Sequence, residues 1–148
     1  MSDVKKLLIV EDDDRVRASL RLALEDEGYD VGESPDAEHA LTDLRHHGAP
    51  DVLIVDLMLG GMDGFTCIRE VRKHHDMPII VVSARDDTHD VVAALEAAVT
   101  AVVVAVEATT TVITAAEAAL TAVVVTAETT TAIITALEAA TALVAAAV

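Results

Sequence analysis

Apolar and polar positions follow two habits along the first part of this chain. Leu7-Leu8-Ile9-Val10, Val52-Leu53-Ile54-Val55 and Ile79-Ile80-Val81-Val82 are unbroken apolar runs. Short runs of this kind are the pattern of strands buried on both faces. Between them the apolar residues recur at helical spacing. Val16, Leu20, Ala23 and Leu24 share one face of a helix predicted over Asp14 to Glu27, with Asp13 or Asp14 to cap its start and Gly28 to end it. Ala37, Ala40, Leu41 and Leu44 do the same for Asp36 to His47, which Gly48-Ala49-Pro50 breaks. Phe65, Ile68 and Val71 face inward from a helix over Gly64 to His75. Tyr29 to Gly32 reads as a short second strand, and Asp86-Asp87 opens a fourth helix running to about Ala98. Strand and helix alternate four times with short links, so the fold class is α/β, a doubly wound parallel sheet with helices on both faces.

The pattern changes near Asp90. Residues 91–148 use only Ala, Val, Thr, Glu, Leu and Ile. They also repeat. Glu96 to Ala116 reads EAAVTAVVVAVEATTTVITAA, Glu117 to Leu137 reads EAALTAVVVTAETTTAIITAL, and Glu138 opens a truncated third copy. Two structures suit such a repeat. In the first, each copy is a strand (Thr100 to Val104, Thr121 to Val125) followed by a helix capped by a threonine triplet. In the second, the tail is helical throughout, with Thr100, Glu107, Thr114, Thr121, Glu128 and Thr135 on one heptad stripe. Clustered valine and threonine favour the first. The expected division is a domain over 1–120 and a low-complexity repeat extension over 121–148, of natural or engineered origin.

Charge narrows the function. The 148 residues carry a formal charge of −16, and all 10 Lys and Arg lie at or before Arg85. A nucleic-acid-binding surface is basic, and none is expected here. No long uncharged apolar stretch suggests a membrane span, and no signal peptide is seen. A cytoplasmic location is expected. Cys67, the lone cysteine, reads as a packed small residue. His46-His47 and His74-His75 fall at helix C-termini, where imidazolium is mildly favoured, and no metal is expected of them.

Candidate chemistry sits where the buried strands stop. The first ends on Glu11-Asp12-Asp13-Asp14 and the third on Asp56, followed by a glycine-rich turn. In open parallel sheets the carboxyl edge of the strands is where ligands bind. Carboxylates gathered there raise one another's pKa unless a cation intervenes. Oxygen-only ligands suit Mg²⁺, which would let an ionised Asp56 approach a phosphoryl donor and form an acyl phosphate. Asp13 and Asp14 read better as helix caps.

The segments LLIVEDD (Leu7 to Asp13), DVLIVDLMLGGMDG (Asp51 to Gly64), MPIIVVSA (Met77 to Ala84) and DVVAALEA (Asp90 to Ala97) together resemble the receiver domain of two-component response regulators, of the winged-helix class, over residues 5–98. The resemblance implies a flavodoxin-like fold with a five-stranded parallel sheet. Ala101 to Val104 would be the fifth strand and Thr109 to Leu120 the fifth helix. It implies Asp56 as phosphoacceptor, and Glu11, Asp12, Asp56 and the Met58 backbone carbonyl as Mg²⁺ ligands. Ser83 becomes the switch hydroxyl. The implied partner is a sensor histidine kinase or a small phosphodonor, with a homodimer as a further expectation and no nucleic acid or membrane for this chain. The chain would be a phosphoacceptor rather than an enzyme, with self-phosphorylation and autodephosphorylation at most. Gly60 stands where the family often has proline. The family's lysine and its switch aromatic are replaced by Ala105 and Val102. Lys5, Lys6 and Arg85 are the nearby cations that could stand in for the lysine. The competing expectation is a non-signalling receiver-like scaffold or interaction module, natural or engineered, that keeps the fold and the Mg²⁺ site.

Overall fold

The computed structural model describes residues 3–83 and the backbone of 101–105, 114–116 and 121–126. The order is β1 (Lys6–Val10), α1 (Asp14–Asp26), β2 (Asp30–Ser34), α2 (Ala37–His47), β3 (Val52–Asp56), α3 (Gly64–Arg72), β4 (Ile79–Ser83), β5 (Ala101–Ala105), β6 (Thr114–Ala116) and β7 (Thr121–Thr126). The expected helix over 86–98 and the Glu138 copy lie outside the described residues.

One sheet runs β2-β1-β3-β4-β5-β7-β6. All its pairs are parallel except β6 with β7. The α/β fold with a parallel sheet is thus as expected, while the sheet has seven strands where five were expected. The added strands come from the repeat. Thr121–Thr126 has the same β-branched character as the first copy, and it pairs beside that copy. Each paired residue lies one repeat further along: Val103 beside Val124, Val104 beside Val125, Ala105 beside Thr126. This favours the strand reading of Thr121 to Val125 over the continuous heptad helix. β6 falls inside the segment expected as a fifth helix, Thr109 to Leu120. There, antiparallel pairing of Thr114–Ala116 with Thr121–Val123 overrides the helical preference of alanine.

Two apolar layers hold the described helices to the sheet. On one face Leu7, Ile9, Val52, Ile54 and Ile80 pack with Leu20 and Leu24 of α1. On the other, Leu8, Val10, Leu53, Val55, Ile79 and Val81 pack with Ala37, Ala40 and Leu44 of α2 and Cys67, Ile68 and Val71 of α3. Alternate residues of each strand feed opposite layers, as the period of a strand requires.

Element ends differ from the sequence pattern for local reasons. Tyr29 lies in the turn that closes α1, where its N–H donates to the Leu24 carbonyl (3.2 Å), so β2 starts at Asp30. α3 stops at Arg72 because its side chain turns to the carbonyls of His75 (3.1 Å) and Met77 (2.6 Å) and fixes the exit. Val16 was expected inward. It is 45% exposed, and only Leu20 and Leu24 of that stripe join the buried layer.

Candidate functional site

β1 and β3 are adjacent and parallel, with Val10 paired to Val55. Their ends therefore deliver Glu11 and Asp56 to the same edge. The carboxylates of Glu11, Asp12 and Asp56 each offer an oxygen within 4.8 Å of the others. Glu11 is buried, Asp56 half-buried and Asp12 exposed, so the cluster has an open side.

Local hydrogen bonds aim these side chains. The Glu11 N–H donates to the Ser34 carbonyl at 3.2 Å, which continues the pairing of β1 with β2. The Asp13 N–H donates to Glu11 Oε1 at 3.0 Å. Arg17 holds the Glu11 carbonyl at 2.8 Å and Asp14 at 2.6 Å, fixing the turn from below. Asp13 caps α1 through the N–H groups of Arg15 (2.8 Å) and Val16 (3.1 Å), which leaves it to the helix. The Met58 N–H donates to Asp56 Oδ1 at 2.8 Å.

Electrostatics at the cluster are strained. Burial pushes the Glu11 carboxyl from 4.5 up to about 8 against the Asp13 N–H, which favours the anion; the charge of Asp56 and its hydrogen bond add to the rise. Among the described residues no lysine or arginine makes an ion pair with any of the three acids. Lys5 pairs with Asp51 at 3.9 Å, and Lys6 opens β1, so both sit at the amino end of the strands, away from Asp56. They cannot replace the missing cation, and Arg85 lies outside the described residues. A groove of about 340 Å³, lined by Lys6, Asp30, Asp43 and His47 among others, also lies at that far end. Cys67 is buried and its thiol is pushed up to about 12, mainly by burial, which suits a packed residue.

Val82 pairs with Asp56, and Ser83 is the next residue on β4. Ser83 is paired in turn with Ala105 at the end of β5. Positions 56, 83 and 105 thus end neighbouring strands at one edge, while Val102 is paired with Ile80 further back in the sheet.

Two contributors were not singled out from the sequence. Gly64 begins α3 directly against the end of β3. A Cβ there would overlap the Asp56 carbonyl oxygen and stand 2.6 Å from Leu57 Cα, so only glycine fits. Its N–H donates to the Leu57 carbonyl at 3.2 Å. Glu38, at the start of α2, accepts the Met62 N–H at 3.2 Å. The glycine signal was legible, although its reason, close approach rather than a turn, was not. Nothing local marks Glu38.

Among the described residues, no helix is long and apolar enough to cross a membrane. A family model described as the response regulator receiver domain matches residues 7–117, which takes in the first repeat copy. The chain is 42% identical over 90 residues to the transcriptional regulatory protein AfsQ1 of Streptomyces coelicolor, covering 61% of this chain and 40% of that protein. It is 42% identical over 97 residues to the transcriptional regulatory protein CseB of the same organism, covering 66% of this chain and 41% of that protein. The chain spans about two fifths of the length of these curated relatives. Among solved structures, the BeF3-activated N-terminal receiver domain of Klebsiella pneumoniae RstA matches with a TM-score of 0.61 at 28% identity, over 66% of this chain and 84% of that one. Family match, sheet order and the acids at the strand ends agree: the chain belongs to the response regulator receiver domain family of two-component signalling.

Proposed function

We propose that Asp56 accepts a phosphoryl group in a Mg²⁺-dependent reaction, from a sensor histidine kinase or a small phosphodonor. The observation that carries this reading is the convergence of Glu11, Asp12 and Asp56 at the carboxyl edge of the sheet. The donor set is all oxygen, it has an open side, and among the described residues it has no paired cation, which is the chemistry Mg²⁺ takes. Glu11, Asp12, Asp56 and the Met58 backbone carbonyl would hold the ion. When bound, Mg²⁺ offsets the charge between the carboxylates and the incoming phosphoryl oxygens.

The chain's own groups do the rest. Met58 N–H holds one Asp56 oxygen and so orients the carboxylate for attack. An Asp56 oxygen bonds to phosphorus as the donor's leaving group departs with the electrons of the broken bond. The edge position of Ser83 supports its hydroxyl as a donor to the phosphoryl group and as the switch. Ala105 holds the edge position paired with Ser83. A lysine ammonium about 4 Å from a phosphoryl oxygen is worth up to a few kcal/mol at a partly exposed site. Without one, phosphorylation is slow rather than absent. With Val102 in place of the aromatic, the switch lacks half of its readout.

Residues 1–120 form the receiver-like unit and 121–148 a repeat-derived extension, in a cytoplasmic protein with an open route to homodimers. The chain acts as a phosphoacceptor rather than as an enzyme turning over a separate substrate, with self-phosphorylation and autodephosphorylation at most. This chain itself engages neither nucleic acid nor membrane. The test is a time course of labelling by acetyl phosphate with Mg²⁺, comparing the wild type with Ala105→Lys. The wild type should label slowly and the variant about tenfold faster. Absence of label in both would overturn the reading.

A further inference from the structure

The turn after β3 is held at more than one point. Met58 N–H fixes its start on Asp56. Its far end is fixed where the Gly64 N–H meets the Leu57 carbonyl and where Asp63 caps α3 through the Thr66 N–H at 2.8 Å. Leu59 anchors it from beneath, buried among the α2–α3 layer. Its upper part, Gly60 to Met62, contains two glycines and so has little stiffness of its own.

Glu38 supplies the remaining hold. It reaches from the first turn of α2 to a residue 24 positions away, accepting the Met62 N–H at 3.2 Å. Gly61 stands at φ 76° beside it, and a Cβ on Gly61 would lie 3.3 Å from Glu38 Oε1. At the neighbouring position, a Cβ on Gly60 would lie 3.9 Å from Asp12 Oδ2. Successive residues of the turn thus stand beside a carboxylate of the candidate metal cluster and beside the Glu38 carboxylate.

We propose that Glu38 is a positioning residue for the metal site: by fixing Gly61 and Met62 it sets the height of the turn over Asp12 and Asp56. Glu38 touches neither phosphoryl donor nor metal. It acts through the backbone, so an amide oxygen at the same place serves as well as a carboxylate. This inference rests on the phosphoacceptor reading above.

The test compares the full chain with Glu38→Gln and Glu38→Ala in two readouts. The first is Mg²⁺ affinity from a titration followed by thermal shift. The second is hydrogen exchange at the Met62 amide. Glu38→Ala should bind Mg²⁺ about tenfold more weakly, as loss of a group supporting metal ligands typically does, and should exchange faster at Met62. Glu38→Gln should restore both. Unchanged affinity in Glu38→Ala would overturn the inference while leaving the site reading intact. Equal loss in Glu38→Gln would also overturn it, since charge rather than position would then be at work. If the wild type itself shows no Mg²⁺ response, the site reading fails along with the Mg²⁺ part of the inference. The Met62 exchange comparison would then still decide whether Glu38 holds the turn.

Discussion

At the end of β1, Glu11 is 5% exposed and faces Asp56 with its carboxyl pushed up to about 8. A raised carboxyl pKa means that the folded state holds a proton the unfolded state has released. Its contribution to stability is full below the ordinary value of 4.5 and is lost as pH rises through about 8. The metal-free protein should therefore lose thermal stability between about pH 5 and 8 from this group. Glu11→Gln removes that dependence and should raise the melting temperature at pH 8 in EDTA by roughly 3–8 °C. Thermal unfolding across that pH range checks it; a variant that melts lower than the wild type at pH 8 counts against the assignment. Mg²⁺ should reverse the order, because a neutral amide is a poorer ligand than a carboxylate. Asp56 and Glu11 were legible because a buried apolar run that ends on an acid is conspicuous in sequence. Glu38 was not. Its role depends on how α2 meets a turn far along the chain, and no local pattern encodes that.

The turn from β3 into α3 shows how an element's start constrains the site. Gly64 lets α3 begin in contact with the Asp56 carbonyl and Leu57, so the start of α3 and Asp56 cannot move independently. Gly64→Ala must push these groups apart and should cost about 1–3 kcal/mol in urea unfolding, with weaker Mg²⁺ binding besides. Gly28 offers the contrast. It ends α1 at φ 93° with nothing within 4 Å of a Cβ, so Gly28→Ala should cost only about 1–2 kcal/mol of backbone strain and leave Mg²⁺ binding unchanged. Equal Mg²⁺ loss in both variants would refute the distinction. β1, β3 and β4 were readable from their apolar runs and the first three helices from their period, because each apolar pattern is complete within its own segment. β6 was not readable. Thr114–Ala116 has the composition of a helix and becomes a strand only because β7 offers it an edge. Val16 likewise fits the apolar stripe, yet it is exposed.

At the scale of the molecule, a chain of formal charge −16 places its central acids at the edge of a sheet whose β5, β6 and β7 carry no charged residue. The in-register pairing of β5 with β7 makes the second copy a continuation of the sheet rather than part of the site. A chain ending at residue 120 gives up β7, and with it the pairing of β6, but keeps β1, β3 and β4 that carry the acids, so it should show the same Mg²⁺-dependent thermal shift, to within about 2 °C. Loss of that shift would mean that 121–148 belongs to the receiver unit. Everything proposed for the whole molecule depends on one chemical event at Asp56. Intact-mass spectrometry after incubation with acetyl phosphate and Mg²⁺ measures it directly, with EDTA and Asp56→Ala run alongside. The account predicts a single phosphoryl group on the wild type, lost in EDTA and in Asp56→Ala. No adduct on the wild type, or one that persists in Asp56→Ala, would contradict it.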